Sequence, residues 1–249
     1  MTAPPRVIIV ADDLTGAMDV AGPLAARGLN TLAVASVEGC TPQHLAGAEV
    51  VSINADSRHL SAQAAADRVR AILRELIHPD AEILIKKIDS TLRGNVVAET
   101  LAMLETSKRR TAVVAPAFPA QGRTVVDGIV HVKGVPLKDT NFARDALSPP
   151  PLDALDVLFA RADPKAQVCR VAVGTAVSIV PAAGRQIFTL DSISDADLRD
   201  SVRALSAQLK DALLVGSAGI AEAVAEVCFP RSASAASTPM VAGRLLFVV

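Results

Sequence analysis

Short apolar runs recur along this chain, each the length of a strand and each stopping abruptly at charged or hydroxylated residues. Val7 to Ala11 stops at Asp12-Asp13, Val50 to Asn54 runs into Ala55-Asp56-Ser57-Arg58-His59, and Ala81 to Ile85 stops at Lys86 through Asn95. Thr111 to Ala115 stops at a segment with two prolines and a glycine that carries Gln121 and Arg123. Continuous rather than alternating hydrophobicity marks strands covered on both faces. Between the runs lie helical patterns. Thr15 to Ala26 has an apolar stripe of Met18, Ala21, Leu24 and Ala25, with Gly28 as a stop and Pro23 leaving its length open. Ser61 caps a helix reaching Leu76, and Val96 to Leu104 reads as a helix; the bland reading of Lys86 to Asn95 before it is a polar loop capped by Asp89 or Ser90.

Such alternation calls for parallel strands with right-handed crossovers. The expected fold class is α/β: a doubly wound, mostly parallel, Rossmann-like sheet with helices on both faces. Thr31 to Ser36, Val168 to Val173, Gln186 to Leu190 and Ala212 to Val215 supply further strands, and Asp195 to Leu209 a further helix. Gly128 to Leu137 alternates in the manner of a small β-hairpin insertion. Aromatic residues make up only 2% of the chain, with no Trp or Tyr, so the core must be built from Ala, Val, Leu and Ile. That suits layered α/β packing better than an aromatic-rich sandwich.

The expected organisation is one domain over 1–230, a Ser- and Ala-rich linker over 231–242, and over 243–249 the first strand of a truncated C-terminal domain. A net charge of −1 gives no field to recruit nucleic acid or an acidic membrane. Ala212 to Phe229 is too interrupted by glycines and glutamates to be a membrane span. Cys40, Cys169 and Cys228 are scattered without metal-ligand spacing, and no leader pattern opens the chain, so the cytoplasm is the expected compartment and no metal site is expected from side chains.

If the strands are parallel, the four polar strand ends meet on one edge of the sheet, where small ligands bind in open α/β folds. Asp12 and Asp13 could orient sugar hydroxyls, bind a metal, or accept a proton from an attacking hydroxyl. Arg58, Arg93 and Arg123, with Lys86 and Lys87, suit a carboxylate or phosphate. Asp56, Ser57, Asp89, Ser90 and Gln121 add partners for hydroxyls. His59 and His131 have no partner spacing and are read as peripheral. Gly216-Ser217-Ala218-Gly219 sits where a phosphate loop would, which makes Gly216 and Ser217 weak nucleotide candidates; it lacks the Walker lysine, and close strand-to-helix packing explains it as well. The first turn carries Asp-Asp where a dinucleotide site needs glycines, which argues against a nicotinamide-dependent oxidoreductase.

Five segments in order carry a resemblance: Ala11 to Ala17, Asp56-Ser57-Arg58, Lys86 to Asn95, Ala115 to Pro119 with Gly122-Arg123, and Val215 to Gly219. Together they resemble the four-carbon acid sugar kinases across nearly the whole chain. The resemblance implies a cytoplasmic enzyme that moves the ATP γ-phosphate, with Mg²⁺, to the terminal hydroxyl of a tetronate or 3-oxo-tetronate. It implies an N-terminal domain for the acid sugar and a C-terminal one for ATP, this chain supplying the first and lacking turnover alone. It further implies that Asp12 and Asp13 bind hydroxyls, one as candidate base, and that Arg58, Ser90 and Arg93 grip the acid end. A homodimer is left open. The alternative is a non-catalytic sugar-acid-binding module acting alone or with a partner chain.

Overall fold

A computed structural model of the chain describes residues 4–77, 79–180 and 182–230. The expected linker over 231–242 and strand over 243–249 lie outside the described residues. The chain begins β1 (Val7–Ala11), α1 (Leu14–Ala25), β2 (Thr31–Val34), β3 (Val50–Asn54), α2 (Ala62–Ala71) and β4 (Ile83–Lys87). It continues with α3 (Val96–Ser107), β5 (Thr111–Ala115), and a small antiparallel sheet of β6 (Arg123–Val126), β7 (Ile129–Val132) and β8 (Val135–Pro136). Then come α4 (Leu155–Ala162), β9 (Gln167–Val171), β10 (Gln186–Leu190), α5 (Asp195–Leu205), β11 (Ala212–Gly216) and α6 (Ala218–Cys228).

The main sheet has eight strands in the order β2-β3-β1-β4-β11-β5-β10-β9, every neighbouring pair parallel. From β1 the chain crosses to β2 and returns through β3, then passes beneath β1 to β4 on its other side. The reversal of winding about β1 places a crevice outside the C-terminal strand ends. The β1, β3, β4, β5 and β11 side chains are buried throughout, as the unbroken apolar runs require. Helices α1, α5 and α6 pack together on one face, and α2 and α3 on the other. The small sheet is tied to the C-terminal side of β10 by reciprocal backbone bonds between Val125 and Ser192, at 2.8 and 2.9 Å.

Several boundaries depart from the sequence reading. β4 runs two residues past Ile85 and absorbs both lysines. The helix expected to reach Leu76 ends at Ala71 and widens into a π turn over Ile72–Leu76. The α3 cap is Asn95, six residues beyond Asp89, which is engaged instead with Thr91 and Arg93. Pro23 is accommodated within the last turn of α1. No helix among the described residues is long and apolar enough to cross a membrane.

Candidate acid-sugar site

Because Lys86 and Lys87 close a strand, they point to opposite faces. Lys86 is enclosed: its Nζ lies 2.6 Å from Glu99 Oε2 of α3 and donates to the carbonyls of Lys87 (2.7 Å) and Val10 (3.3 Å). Lys87 turns the other way, toward α1, and donates to the Ile88 carbonyl at 2.8 Å. A Cβ added at Gly16 would stand 2.6 Å from Asp13 Oδ1 and 2.7 Å from Lys87 Nζ, so the bare glycine is what lets carboxylate and ammonium converge. Burial holds the Lys87 pKa below the ordinary lysine value, against the opposing pull of Asp12, Asp13 and Asp89.

The two aspartates share one arginine. Asp13 caps α1 by accepting from the Gly16 amide at 2.9 Å. Arg58 Nε donates to Asp12 Oδ2 at 2.7 Å, and its Nη1 stands 2.8 Å from Asp13 Oδ2. The turn after β3 makes this reach possible: Asp56 adopts φ 48°, and the amides of Ser57 and Arg58 both donate to the Asp12 carbonyl. Burial alone would lower the Arg58 pKa, but the Asp12 bond and the charges of Asp12, Asp13 and Asp89 raise it. Gly94, at φ 88°, closes over the pair; a Cβ there would stand 3.3 Å from Arg58 Cγ and 3.4 Å from Asp12 Oδ2.

Asp89 organises the loop after β4. It accepts from the Thr91 amide and hydroxyl and takes a two-pronged bond from Arg93, Nε and Nη2 each at 3.0 Å. Burial alone would raise its pKa, yet the bonds from Arg93 and Thr91 hold it far below the usual carboxylate range. Arg93 Nη1 also lies 3.5 Å from Asp145 Oδ2, in the segment that leads into the proline connector. There Ser148 Oγ donates to the Arg58 carbonyl at 3.2 Å and shares a 2.8 Å bond with His59 Nδ1, docking the connector against the Arg58 turn.

Between these groups and the small sheet lies a cleft of about 160 Å³, its lining including Lys87, Asp89, Ser90, Arg93, Gln121 and Arg123. It is smaller than the roughly 300–1,000 Å³ of drug-sized pockets, so it suits a ligand of a few carbons. Asp12, Asp13 and Arg58 are not in its lining; Asp13 approaches it only through Lys87, whose Nζ it meets at Gly16. The structure sets other expected residues apart. Lys86 is a core ion-pair partner, which corrects the reading of it as a site cation: strand alternation carries it away from the cleft. Asp56 shapes a turn and is exposed, and Ser57 is fully buried. Asp19, Thr91, Phe118 and Phe142 also line the cleft and were not anticipated. In a chain with six Phe, one inside a polar loop was the available signal for Phe142.

The Gly216 to Gly219 turn is closed by packing. A Cβ at Gly216 would come within 2.3 Å of the Ala115 carbonyl, and one at Gly219 within 2.5 Å of the Ala117 carbonyl. Ser217 Oγ donates to Ala117 and caps α6. The glycines therefore serve strand-to-helix contact, while Ser217 and Ala218 also line the cleft. Among the described residues, no group of three or more His, Cys, Asp or Glu stands together in a way that could hold a metal.

A larger cavity, about 670 Å³, lies at the opposite, N-terminal edge of the sheet beside Lys108, Arg109, Arg110 and Lys210. Arg109 there donates to the carbonyls of Ala81, Leu209 and Ala212. Burial draws its pKa down to about 10. Lys108 there is the C-cap of α3, whose partial negative charge it answers.

A family model described as a sugar-binding N-terminal domain matches residues 7–224. A D-threonate kinase of Salmonella typhimurium is 33% identical over 248 residues, covering 96% of this chain and 58% of that protein. A D-erythronate kinase of Heliobacterium modesticaldum is 34% identical over 203 residues, covering 78% of this chain and 46% of that protein. A crystal structure of a domain of unknown function (DUF1537) from Bordetella bronchiseptica, a domain-swapped dimer with bound citrate, superposes with a TM-score of 0.75 at 30% identity, over 91% of this chain and 58% of that one. The chain thus spans about half the length of the curated relatives it matches.

Proposed function

The chain belongs to the four-carbon acid sugar kinase family, as its sugar-binding N-terminal domain, and from that premise we propose that it supplies the substrate half of an ATP-dependent kinase. The substrate is a tetronate or 3-oxo-tetronate, and the reaction places a phosphoryl group on its terminal hydroxyl. The observation that carries this reading is the convergence of Lys87, Asp89, Arg93 and Arg123 about a cleft sized for a few carbons, with Asp13 next to Lys87. A polyhydroxy acid needs both acceptors for its hydroxyls and cations for its carboxylate, and these are the groups assembled. Citrate, bound in the Bordetella structure, is likewise a hydroxy acid.

Asp12 and Asp13 are assigned to substrate hydroxyls. Asp13 keeps 26% of its side chain exposed against 3% for Asp12, so Asp13 is the one placed to meet a hydroxyl and accept its proton, while Arg58 holds it in position. ATP supplies the phosphoryl group, with Mg²⁺ neutralising its charge. Both are assigned to the part of the longer relatives that this chain does not span, since the Gly216 turn is filled by packing. The domain division at about residue 230, cytoplasmic location and assembly as a homodimer belong to the same proposal.

Isothermal titration of the folded chain with D-threonate, D-erythronate and a 3-oxo-tetronate tests it. Binding of at least one, without appreciable ATP turnover, is expected. A folded protein that gives no heat with any of them would refute the reading.

A further inference from the structure

Resemblance assigns the acid end of the substrate to Arg58, Ser90 and Arg93, but both arginines are already engaged by carboxylates of the chain. Arg58 spans Asp12 and Asp13 at 2.7 and 2.8 Å. Arg93 takes Asp89 through both prongs and reaches Asp145 at 3.5 Å. The charge of each arginine is therefore already answered by two carboxylates of the chain. Lys87 has three aspartates in its field and a lowered pKa.

Arg123 differs. It lines the same cleft, and among the described residues no carboxylate lies within ion-pair distance of it. Of its five N–H donors, one goes to the Gln121 carbonyl. Its Nε is buried and, among the described residues, without a hydrogen-bond partner. A buried donor left in that state is costly, and it leaves the guanidinium short of its full set of hydrogen bonds. The side chain is also held in place. The backbone at 123 is fixed by a bond from its amide to the Phe118 carbonyl (3.0 Å) and one from the Phe118 amide to its carbonyl (2.8 Å), and it pairs with Val132 across β7. The guanidinium lies 5.7 Å from the Phe142 ring centroid, within cation–π range. A strand-mounted fork with free donors is the geometry that carboxylate recognition uses.

We propose that Arg123 receives the carboxylate of the sugar acid and so makes the site select an acid over the neutral polyol of the same carbon skeleton. Arg58 and Arg93 are positioning residues that hold Asp12, Asp13 and Asp89. The assignment rests on the sugar-acid reading above and adds to it which cation the acid meets.

The test is titration of the 249-residue chain with D-threonate and with the corresponding tetritol, without nucleotide. The wild type is expected to prefer the acid. Arg123→Gln is expected to weaken acid binding roughly 10- to 100-fold, the worth of a charged hydrogen-bonded contact, and to leave the tetritol unchanged. Arg123→Lys, which keeps the charge but not the fork, is expected to fall between. Circular dichroism on each variant checks that β6 and its sheet remain. An acid affinity unchanged in Arg123→Gln would overturn the assignment and leave the charge to phosphoryl transfer. Equal weakening of acid and polyol would overturn it too, as a structural effect. A wild type that binds neither compound would instead strike the sugar-acid reading itself and take this assignment down with it.

Discussion

Replacing Lys86 by Met removes one half of an ion pair whose members are 0% and 1% exposed. Glu99 Oε2 then loses its partner at 2.6 Å, and Oε1 already has none among the described residues. The Lys87 and Val10 carbonyls lose a donor as well. Breaking a buried pair from one side costs about 3–5 kcal/mol. At about 2–4 °C per kcal/mol for a domain of this size, the midpoint should fall by roughly 6–20 °C. Urea unfolding followed by far-ultraviolet circular dichroism measures the change as a shift in Cm at constant slope. Lys86→Met with Glu99→Leu should recover most of the loss, because an apolar pair of similar volume replaces a buried ion pair at little cost or with a gain. The neighbouring Lys87→Met should behave oppositely. Its folded pKa is depressed below 10.5 by burial, so its charge is disfavoured by folding; stability is held back at neutral pH and recovered as pH rises toward 10.5. Lys87→Met should therefore be at least as stable as the wild type at pH 7, and should lack the wild type's gain in stability on the approach to pH 10.5. A Lys86→Met protein within about 1 kcal/mol of wild type would refute the buried-pair account.

Gly216→Ala and Gly219→Ala each drive a Cβ into a backbone carbonyl and should lower stability by about 1–3 kcal/mol, seen in the same urea titration; a neutral Gly216→Ala would return that turn to candidacy as a phosphate loop. Gly94→Ala is strained at φ 88° and presses on the Arg58–Asp12 pair, so it should weaken tetronate binding as well as stability, read by calorimetry beside unfolding. The Asp89 carboxyl is depressed by Arg93 and Thr91, so the stability it contributes is present above about pH 3.8 and lost only as pH falls through its lower folded value. Asp89→Asn should accordingly lower Cm at pH 7, with the difference from wild type narrowing in acid; a difference that grew in acid would reverse the sign of this account.

The central sheet was legible because burial on both faces leaves an uninterrupted apolar run, as at Val7–Ala11 and Val50–Asn54. The same rule fails at the end of β4, where two lysines continue the strand. Their charge reads as loop, while the cost of burying Lys86 is met by Glu99, thirteen positions on in sequence and on another element. The lone Glu99 among apolar positions of α3 was the signal that a buried partner existed. The gathering of polar strand ends on one edge followed from parallel topology alone. Which cations stay open to a ligand did not, since that depends on pairings across the fold, such as Arg58 with Asp12 and Arg93 with Asp145.

The most direct test maps amide chemical-shift changes as D-threonate is titrated into the folded chain. Changes centred on Asp13, Lys87 to Gly94 and Gln121 to Arg123, at the C-terminal edge of the sheet, are predicted. Changes confined to the larger cavity around Arg109 and Arg110, at the N-terminal edge, would contradict the placement of the acid-sugar site.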